Sequence, residues 1–396
     1  MRDHAARLNR LLENHPDIVH VEGATEALIK KDELLVLGAH ADAVHEQARR
    51  WVDSREDFSD LGVARLRLRP DAGVDAPGLV HDLRGGAGAH RRMSVTPNHV
   101  MRGAPDMTGG PFGAPWPTDT LPAPTANGTD SRRVTVAVLD TGIAAHPWFD
   151  GAEWYGCCTP DEHESAEADT DWELDSEAGH GTFIAGMVLQ QAPNAYLRVE
   201  RVLSDDGITD ELELLRGLTR VQARAAADSD RLDLVSLSLG CYTFDDRPSP
   251  VLANAVARVS RHSVVVAAAG NQGTDRPYWP AALKEVVAVA ALASENGADG
   301  PERASFSNYG WWVDAAAPGE NVTSCFLTHG REHGEDFHGF ATWSGTSFAA
   351  PYVTGSIAAL MAAKDMAARD AVSELLDPNR YRIPDLGVVV GPAESR

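Results

Sequence analysis

The sequence predicts an α/β domain built on a mostly parallel sheet with helices on both faces, preceded by a small α+β module. From Val134 onward, short apolar runs rich in β-branched residues alternate with longer stretches of helical periodicity, the pattern of strands buried on both faces and joined by crossover helices. Before Val134 the elements are of a different kind, and a Gly- and Pro-rich stretch separates the two parts.

In the first part, Glu33–Gly38 reads as a strand. Residues 41–53 read as a helix, with Ala41, Val44, Ala48 and Val52 at helical spacing, and Val63–Arg69 as an alternating strand. Residues 1–84 are therefore expected to form an α+β module. Residues 85–133, which contain GGPFGAPWPTDTLPAP, read as a linker or extended segment. The third unit, residues 134–396, has strands predicted at Val134–Leu139, Tyr196–Val202, Leu232–Leu239, Ser263–Ala268 and Val286–Ala291. Its helices are predicted at about Thr209–Ala227 and Pro250–Arg261. Reactive groups belong at the carboxyl ends of such strands.

The chain has 396 residues, 43% hydrophobic and 23% charged, so a substantial core can be buried. With 35 basic and 58 acidic residues its formal charge is 35 − 58 = −23. That balance disfavours nucleic acid and anionic membranes as partners. The charged opening segment has no apolar core of signal-peptide length. No uninterrupted run approaches the roughly 18 apolar residues of a membrane span, so a soluble, cytoplasmic protein is expected. Four cysteines, two of them adjacent (Cys157, Cys158), are too few for a disulfide scaffold and read as reduced thiols; no His/Cys set has metal-ligand spacing.

The negative charge is concentrated. Residues 1–133 carry 17 basic and 19 acidic side chains, whereas Asp150–His180 holds 11 acidic residues and no Lys or Arg. This stretch reads either as a solvated loop, as a cleft rim that attracts basic substrate segments, or as a Ca²⁺ site, although no EF-hand-type spacing supports the metal.

Three motifs carry chemistry. Asp140, in Leu-Asp-Thr-Gly, ends the first apolar strand, where it can accept a hydrogen bond from an imidazole. His180, in Gly-His-Gly-Thr, opens a helix between two glycines that leave room for a substrate chain. Ser347, in Gly-Thr-Ser-Phe-Ala-Ala-Pro, opens an Ala-rich helix running to about Ala368, whose dipole favours a developing oxyanion. Taken singly, each has a structural alternative: a turn or cap for the Asp, a structural His, an N-cap for the Ser. Together they stand in the order Asp, His, Ser, with Ala269-Gly270-Asn271 at a strand end between the last two, and Asn271 becomes a candidate oxyanion donor.

With these motifs, together with Ser236–Gly240, Ser307-Asn-Tyr-Gly310 and Ala317-Pro-Gly319, the region from about Val134 to Ala368 resembles the subtilisin-like serine proteases, or subtilases. The resemblance implies a three-layer α/β/α fold with a mostly parallel central sheet. It implies a serine endopeptidase acting on a peptide or protein substrate, with Ser347 as nucleophile, His180 as general base and acid, Asp140 orienting the imidazole, and Asn271 with the Ser347 N–H holding the oxyanion. Ser238, Leu239 and Gly240 would pair with an extended substrate, and Ala269, Gly270 and Tyr278 would border the primary specificity pocket. No cofactor is required; Ca²⁺, which many subtilases bind, is the one metal considered. Phe183 replaces a second His usual in the family, outside the triad. The short loop Gln272–Pro280 brings Tyr278 or Trp279 near the pocket base, so a shallow or narrowed pocket is expected, unless the ring faces the core.

Subtilases often carry an N-terminal propeptide of ferredoxin-like shape. Residues 17–70 have a compatible order of strands and helices, and Thr96-Pro97-Asn98-His99-Val100 is similar to the Pro-Asn-containing end of such propeptides. A zymogen cleaved between about Gly85 and Arg133 is one expectation and a permanent recognition module the other. A dedicated processing peptidase is a narrower form of the enzymatic reading. A catalytically inactive binding or scaffold protein of the same fold is the alternative to it.

Overall fold

The structure, a computed structural model, describes residues 8–9, 11–21, 27–85, 93–103, 113–125, 132–164, 174–204, 206–297, 300–332 and 334–391. Its centre is an eight-stranded sheet. In spatial order the strands are Arg382–Ile383, Gly387–Val389, Ala315–Pro318, Val286–Leu292, Val264–Ala268, Leu234–Leu237, Thr135–Asp140 and Tyr196–Arg201. The first pair is antiparallel and every other neighbouring pair is parallel.

The strand sequences explain the burial. Val264–Ala268 (VVVAA) and Val286–Leu292 (VVAVAAL) are buried at every position, as double-sided coverage requires. Alternate residues serve opposite faces. Val136, Val138, Val266 and Val289 share a core with the helices His180–Gln191 and Thr346–Lys364. Ala137, Leu139, Val235, Leu237 and Val265 share the other core with Glu211–Ala227 and Pro250–Val259. The result is the expected three-layer α/β/α arrangement. Both helices of the second face begin at caps legible in the sequence: Asp210 accepts from Glu213 N at 3.0 Å, and Ser249, followed by Pro250, accepts from Leu252 N at 3.3 Å.

Thr346–Lys364 is long and apolar enough to cross a membrane by length and composition, but 72% of its apolar window is buried inside the protein. It is a core helix that packs against four strands of the sheet and the His180–Gln191 helix. Interspersed Ser, Thr, Gly and Pro residues hide that continuity from a search for uninterrupted apolar runs.

The N-terminal elements follow the order strand, helix, strand, strand, helix, strand: Ala27–Leu37, Gly38–Ala48, Val52–Phe58, Val63–Leu68, Ala76–Gly85 and Val95–Arg102. The sheet order is Val52–Phe58, Val63–Leu68, Ala27–Leu37, Val95–Arg102, with Ile18–Val21 also pairing Ala27–Leu37; all these pairs are antiparallel. One face buries Ile29, Leu34, Val36 and Leu66 under the two helices through Val44, Ala48, Leu79, Val80 and Leu83. From the other face, Leu35, Val63 and Met101 enter the core of the large domain beside Leu212 and Leu215.

Two differences from the sequence reading have physical causes. The helix expected to reach residue 53 stops at Ala48, and Val52 opens an outer strand of mostly exposed, charged residues (VDSREDF) that carries no apolar alternation. Within the stretch read as a linker or extended segment, Val95–Arg102 is a strand buried at seven of its eight positions. Its polar residues have partners that composition cannot reveal: Asn98 Nδ2 donates to Glu33 Oε2 at 3.0 Å, and His99 Nδ1 lies 2.9 Å from Glu211 Oε1. This strand also pairs antiparallel with Ile208–Asp210 of the large domain, aligning Val100 with Asp210, Met101 with Thr209 and Arg102 with Ile208.

Candidate active site

Strand ends and helix N-termini bring Asp140, His180, Asn271 and Ser347 into one neighbourhood, all of them buried. Asp140 is the last residue of Thr135–Asp140, and His180 is the first of the helix His180–Gln191. Asp140 Oδ1 lies 2.7 Å from His180 Nδ1 and accepts from Thr141 N at 2.8 Å. Both side chains are about 1% exposed. Gly179 holds the N-cap of this helix at φ 85°, and a Cβ there would enter the Phe326 ring, so the sharp entry into His180 depends on glycine. The imidazole is packed between Trp343 and Phe348, each with its ring centroid 5.5 Å away. Phe183, where a second His was considered, is fully buried against Phe348 at 4.4 Å and serves the wall of the site.

Ser347 is the second residue of Thr346–Lys364, immediately before Phe348. Its Oγ donates to Ser238 O at 3.2 Å, and Ser238 Oγ donates back to Ser347 O at 2.8 Å. His180 Nε2 has no hydrogen-bond partner among the described residues. Asn271 follows the strand Val264–Ala268 by three residues. Its Oδ1 accepts from Thr346 N and Thr346 Oγ1, both at 2.9 Å, which fixes the amide plane, and Nδ2 would lie 3.6 Å from a Cβ on Gly345. Fixing the oxygen orients the Nδ2 of the same amide beside the N-terminus of the serine helix, where the helix dipole favours negative charge.

The predicted substrate edge divides. Gly240 exchanges backbone hydrogen bonds with Arg102, and Ser238 lies against Ser347, whereas Leu239 is buried in the core. Ala269 and Gly270 have spent their backbone groups: Ala269 N donates to Val289 O, Asn308 Nδ2 donates to Ala269 O, Gly270 N donates to Thr346 Oγ1 and Asn308 N donates to Gly270 O. Their N–H groups are thus engaged within the protein, and each carbonyl keeps one lone pair. Tyr278 lies where a Cβ on Gly270 would be 3.1 Å from its ring, stacks edge-on against Tyr242 at 5.1 Å and is also part of the core. Burial pushes its phenol above the ordinary range. Cys241 is buried in the same core, and among the described residues all four cysteines are free.

Two carboxylates that sequence reasoning only counted are structural parts of this site. Glu164 accepts from Thr182 Oγ1 at 2.7 Å, from Gly179 N at 2.8 Å and from Thr141 Oγ1, while Thr141 Oγ1 accepts from Gly181 N at 2.9 Å. It thus ties the residue after Asp140 to the residues on either side of His180. Burial raises its pKa, and the two threonine hydroxyls oppose the shift. Glu177 is fully buried with Oε2 3.8 Å from His180 Nε2. Burial pushes its carboxyl up to about 8. For His180, burial works to lower the pKa, but the Asp140 and Glu177 carboxylates outweigh it and raise it to about 9. Nothing in the local sequence distinguished these two acids from their neighbours.

The rest of the acidic stretch is only partly visible, because Glu167, Asp169, Asp171 and Glu173 lie outside the described residues. Among the described residues no group of three or more His, Cys, Asp or Glu side chains is arranged to hold a metal ion, so the Ca²⁺ expectation gains no ligand set from them.

Comparison with known proteins accords with this geometry. The model of the Subtilase family matches residues 131–380. An alkaline protease of Alkalihalobacillus alcalophilus is 34% identical over 259 residues, covering 62% of this chain and 58% of the relative, so the chain spans little more than half of that protein's length. An intracellular serine protease of Paenibacillus polymyxa is 30% identical over 309 residues, covering 74% of this chain and 84% of the relative. Fervidolysin from Fervidobacterium pennivorans, described as a keratinolytic enzyme related to subtilisin, superposes with a TM-score of 0.61 over 94% of this chain and 61% of its own at 18% identity, a likeness of fold.

Proposed function

Because the chain belongs to the subtilase family, we propose that it is a serine endopeptidase working through an acyl-enzyme, with Ser347, His180 and Asp140 as its triad. The observation that supports this most directly is the Asp140–His180 contact of 2.7 Å, buried beside a serine at a helix N-terminus. When a substrate enters, the Ser347 hydroxyl turns from Ser238 O to His180 Nε2, which takes its proton as Oγ attacks the peptide carbonyl. Asn271 Nδ2 and the Ser347 N–H receive the oxyanion. His180 then protonates the leaving amine and activates the water that releases the acyl group. Asp140 holds Nδ1–H and stabilises the imidazolium throughout.

The N-terminal module is, on this reading, an inhibitory propeptide. Val95–Arg102 and Gly103 lie between Gly207–Asp210 and Gly240, the path of an added strand, so the chain guards its own cleft until cut beyond Gly103 and before Arg133. Tyr278, close against Gly270, narrows the first pocket and favours small residues, which suits a dedicated processing peptidase with few substrates. A cytoplasmic site of action accords with the free cysteines and with the name of the Paenibacillus relative. Attraction of basic substrate segments by the acidic stretch Asp150–His180 belongs to the same reading.

The test is a fluorophosphonate probe. Labelling that disappears in Ser347→Ala is expected once the chain has been cut beyond Gly103, and a folded, cut wild-type protein that takes no label would favour the scaffold alternative. Comparing masses after expression tests the zymogen: processing of the wild type but not of Ser347→Ala is expected, and identical intact masses would leave a permanent module.

A further inference from the structure

Arg102 stands where a residue of a bound substrate strand would stand. It exchanges both backbone hydrogen bonds with Gly240, at 2.9 and 3.0 Å, and residues paired in this way carry their side chains on the same face of the ladder. Gly240 marks that face: a Cβ built on it would strike the ring of Tyr278. Glycine therefore lets the Tyr278 ring lie over the pairing position, and the Arg102 side chain leaves its strand on the ring's side. Tyr242, two residues beyond Gly240, backs the ring edge-on with centroids 5.1 Å apart. Its hydroxyl donates to Gln272 Oε1 at 3.0 Å and accepts from Asn308 Nδ2 at 2.8 Å, so the aromatic wall is held in place. Arg102 is half-buried. Burial pushes its pKa down, and Tyr278, Tyr242 and Glu177, in that order, work to raise it, so the two phenols lie within electrostatic reach of the guanidinium. A guanidinium is planar and weakly hydrated, and it leaves water for an aromatic ring at less cost than an ammonium does. Arg276 already stacks in this manner on Tyr242, 4.4 Å from the ring centre with its charge balanced by Asp246, which leaves Tyr278 as the ring for the paired position.

We propose that Tyr278 is the specificity-determining residue for the substrate position that pairs with Gly240, and that it selects arginine there, the side chain the protein itself presents in Arg102. The inference rests on the reading of Val95–Gly103 as a strand in the substrate path. To that reading it adds the side-chain chemistry of one substrate position and the ring that recognises it.

Two measurements on the full chain test it. In the first, the wild type, Tyr278→Leu and Tyr278→Phe digest a mixture of peptides copying residues 96–110, in which the residue equivalent to Arg102 is Arg, Lys or Met. Competing substrates share the same free enzyme, so the ratios of kcat/KM values are independent of how much of a variant is folded or open. Arg is expected to exceed Met by about tenfold, the order of a partly desolvated cation–aromatic contact, and to exceed Lys by about threefold. Tyr278→Leu is expected to bring all three within about twofold, and Tyr278→Phe, which keeps the ring, to keep the order. Equal rates for Arg and Met in the wild type overturn the proposal. So does a Lys rate equal to that of Arg, which would assign the preference to the negative charge of the chain at large, and so does a preference that survives Tyr278→Leu. The second measurement needs no catalysis: hydrogen exchange of the Gly240 amide in Ser347→Ala chains with Arg102 unchanged, Arg102→Lys or Arg102→Met. Exchange slowest with Arg and fastest with Met is expected, the spread vanishing when Tyr278→Leu is added. Equal exchange in the three chains overturns the subsite. If exchange separates them while no peptide is cut and no fluorophosphonate labels Ser347 in the cut chain, the endopeptidase reading fails and the subsite stands.

Discussion

Arg102 and Gly240 exchange both of their backbone hydrogen bonds, Arg102 N to Gly240 O at 2.9 Å and Gly240 N to Arg102 O at 3.0 Å. One of these residues ends the strand that completes the N-terminal sheet, and the other lies on the proposed substrate edge beside Ser347. Removing the pair should loosen the block. Arg102→Pro deletes one donor and is expected to raise the rate of fluorophosphonate labelling by about tenfold while the melting temperature falls by a few degrees. Unchanged labelling in a folded variant would remove this contact from the inhibitory reading.

The environment of His180 sets a pH dependence. Its pKa is raised from 6.5 to about 9, and only the neutral imidazole can act as base, so labelling of the uncleaved chain should climb as pH rises and reach half its maximum near 9. Glu177→Gln removes one of the carboxylates that stabilise the imidazolium, and the midpoint should move to lower pH. A wild-type midpoint near 6.5, or an upward move in the variant, contradicts this account.

Glu164 is a positioning residue. Glu164→Ala leaves Gly179 N and the Thr141 and Thr182 hydroxyls without their shared acceptor, and kcat should fall by about tenfold or more with KM little changed. Glu164→Gln keeps an acceptor oxygen and should recover part of the loss. A purely structural role would instead lower the melting temperature of both variants without separating their kcat values.

Asn271→Ala should reduce kcat by about 10²- to 10³-fold with little effect on KM, the range found for one oxyanion donor of subtilisin. A loss confined to KM would place Asn271 in substrate binding. At the first pocket, Tyr278→Ala should raise the kcat/KM ratio of a Phe substrate to an Ala substrate by about tenfold. A wild type that already prefers large aromatic residues before the scissile bond would refute the narrowed pocket.

The motif residues were legible because each sits where a strand or helix ends, and such ends leave marks: apolar runs that stop at Asp140 and near Asn271, and glycines around His180 and before Ser347. The two acids near His180 were not legible, since Glu164 and Glu177 differ from their neighbours only in being folded inward. The strand Val95–Arg102 was hidden for a related reason. Its buried Asn98 and His99 meet Glu33 and Glu211, 65 and 112 positions away along the chain, and pairings at that distance leave no local periodicity. Ala269 and Gly270 show the converse: the motif is recognisable, but its backbone bonds to Asn308, Thr346 and the neighbouring strand leave no mark in the local sequence.

A strand carried by the same chain as the cleft it fills is never diluted away. On the propeptide reading, Val95–Gly103, joined to the large domain through the same chain, competes with an effective concentration on the order of millimolar, whatever the protein concentration. A free peptide of ordinary affinity would have to approach that level before it gained the cleft. On that reading, lowering the enzyme concentration would leave the block in place, and only cutting the connection would turn a permanent neighbour into a ligand that can leave.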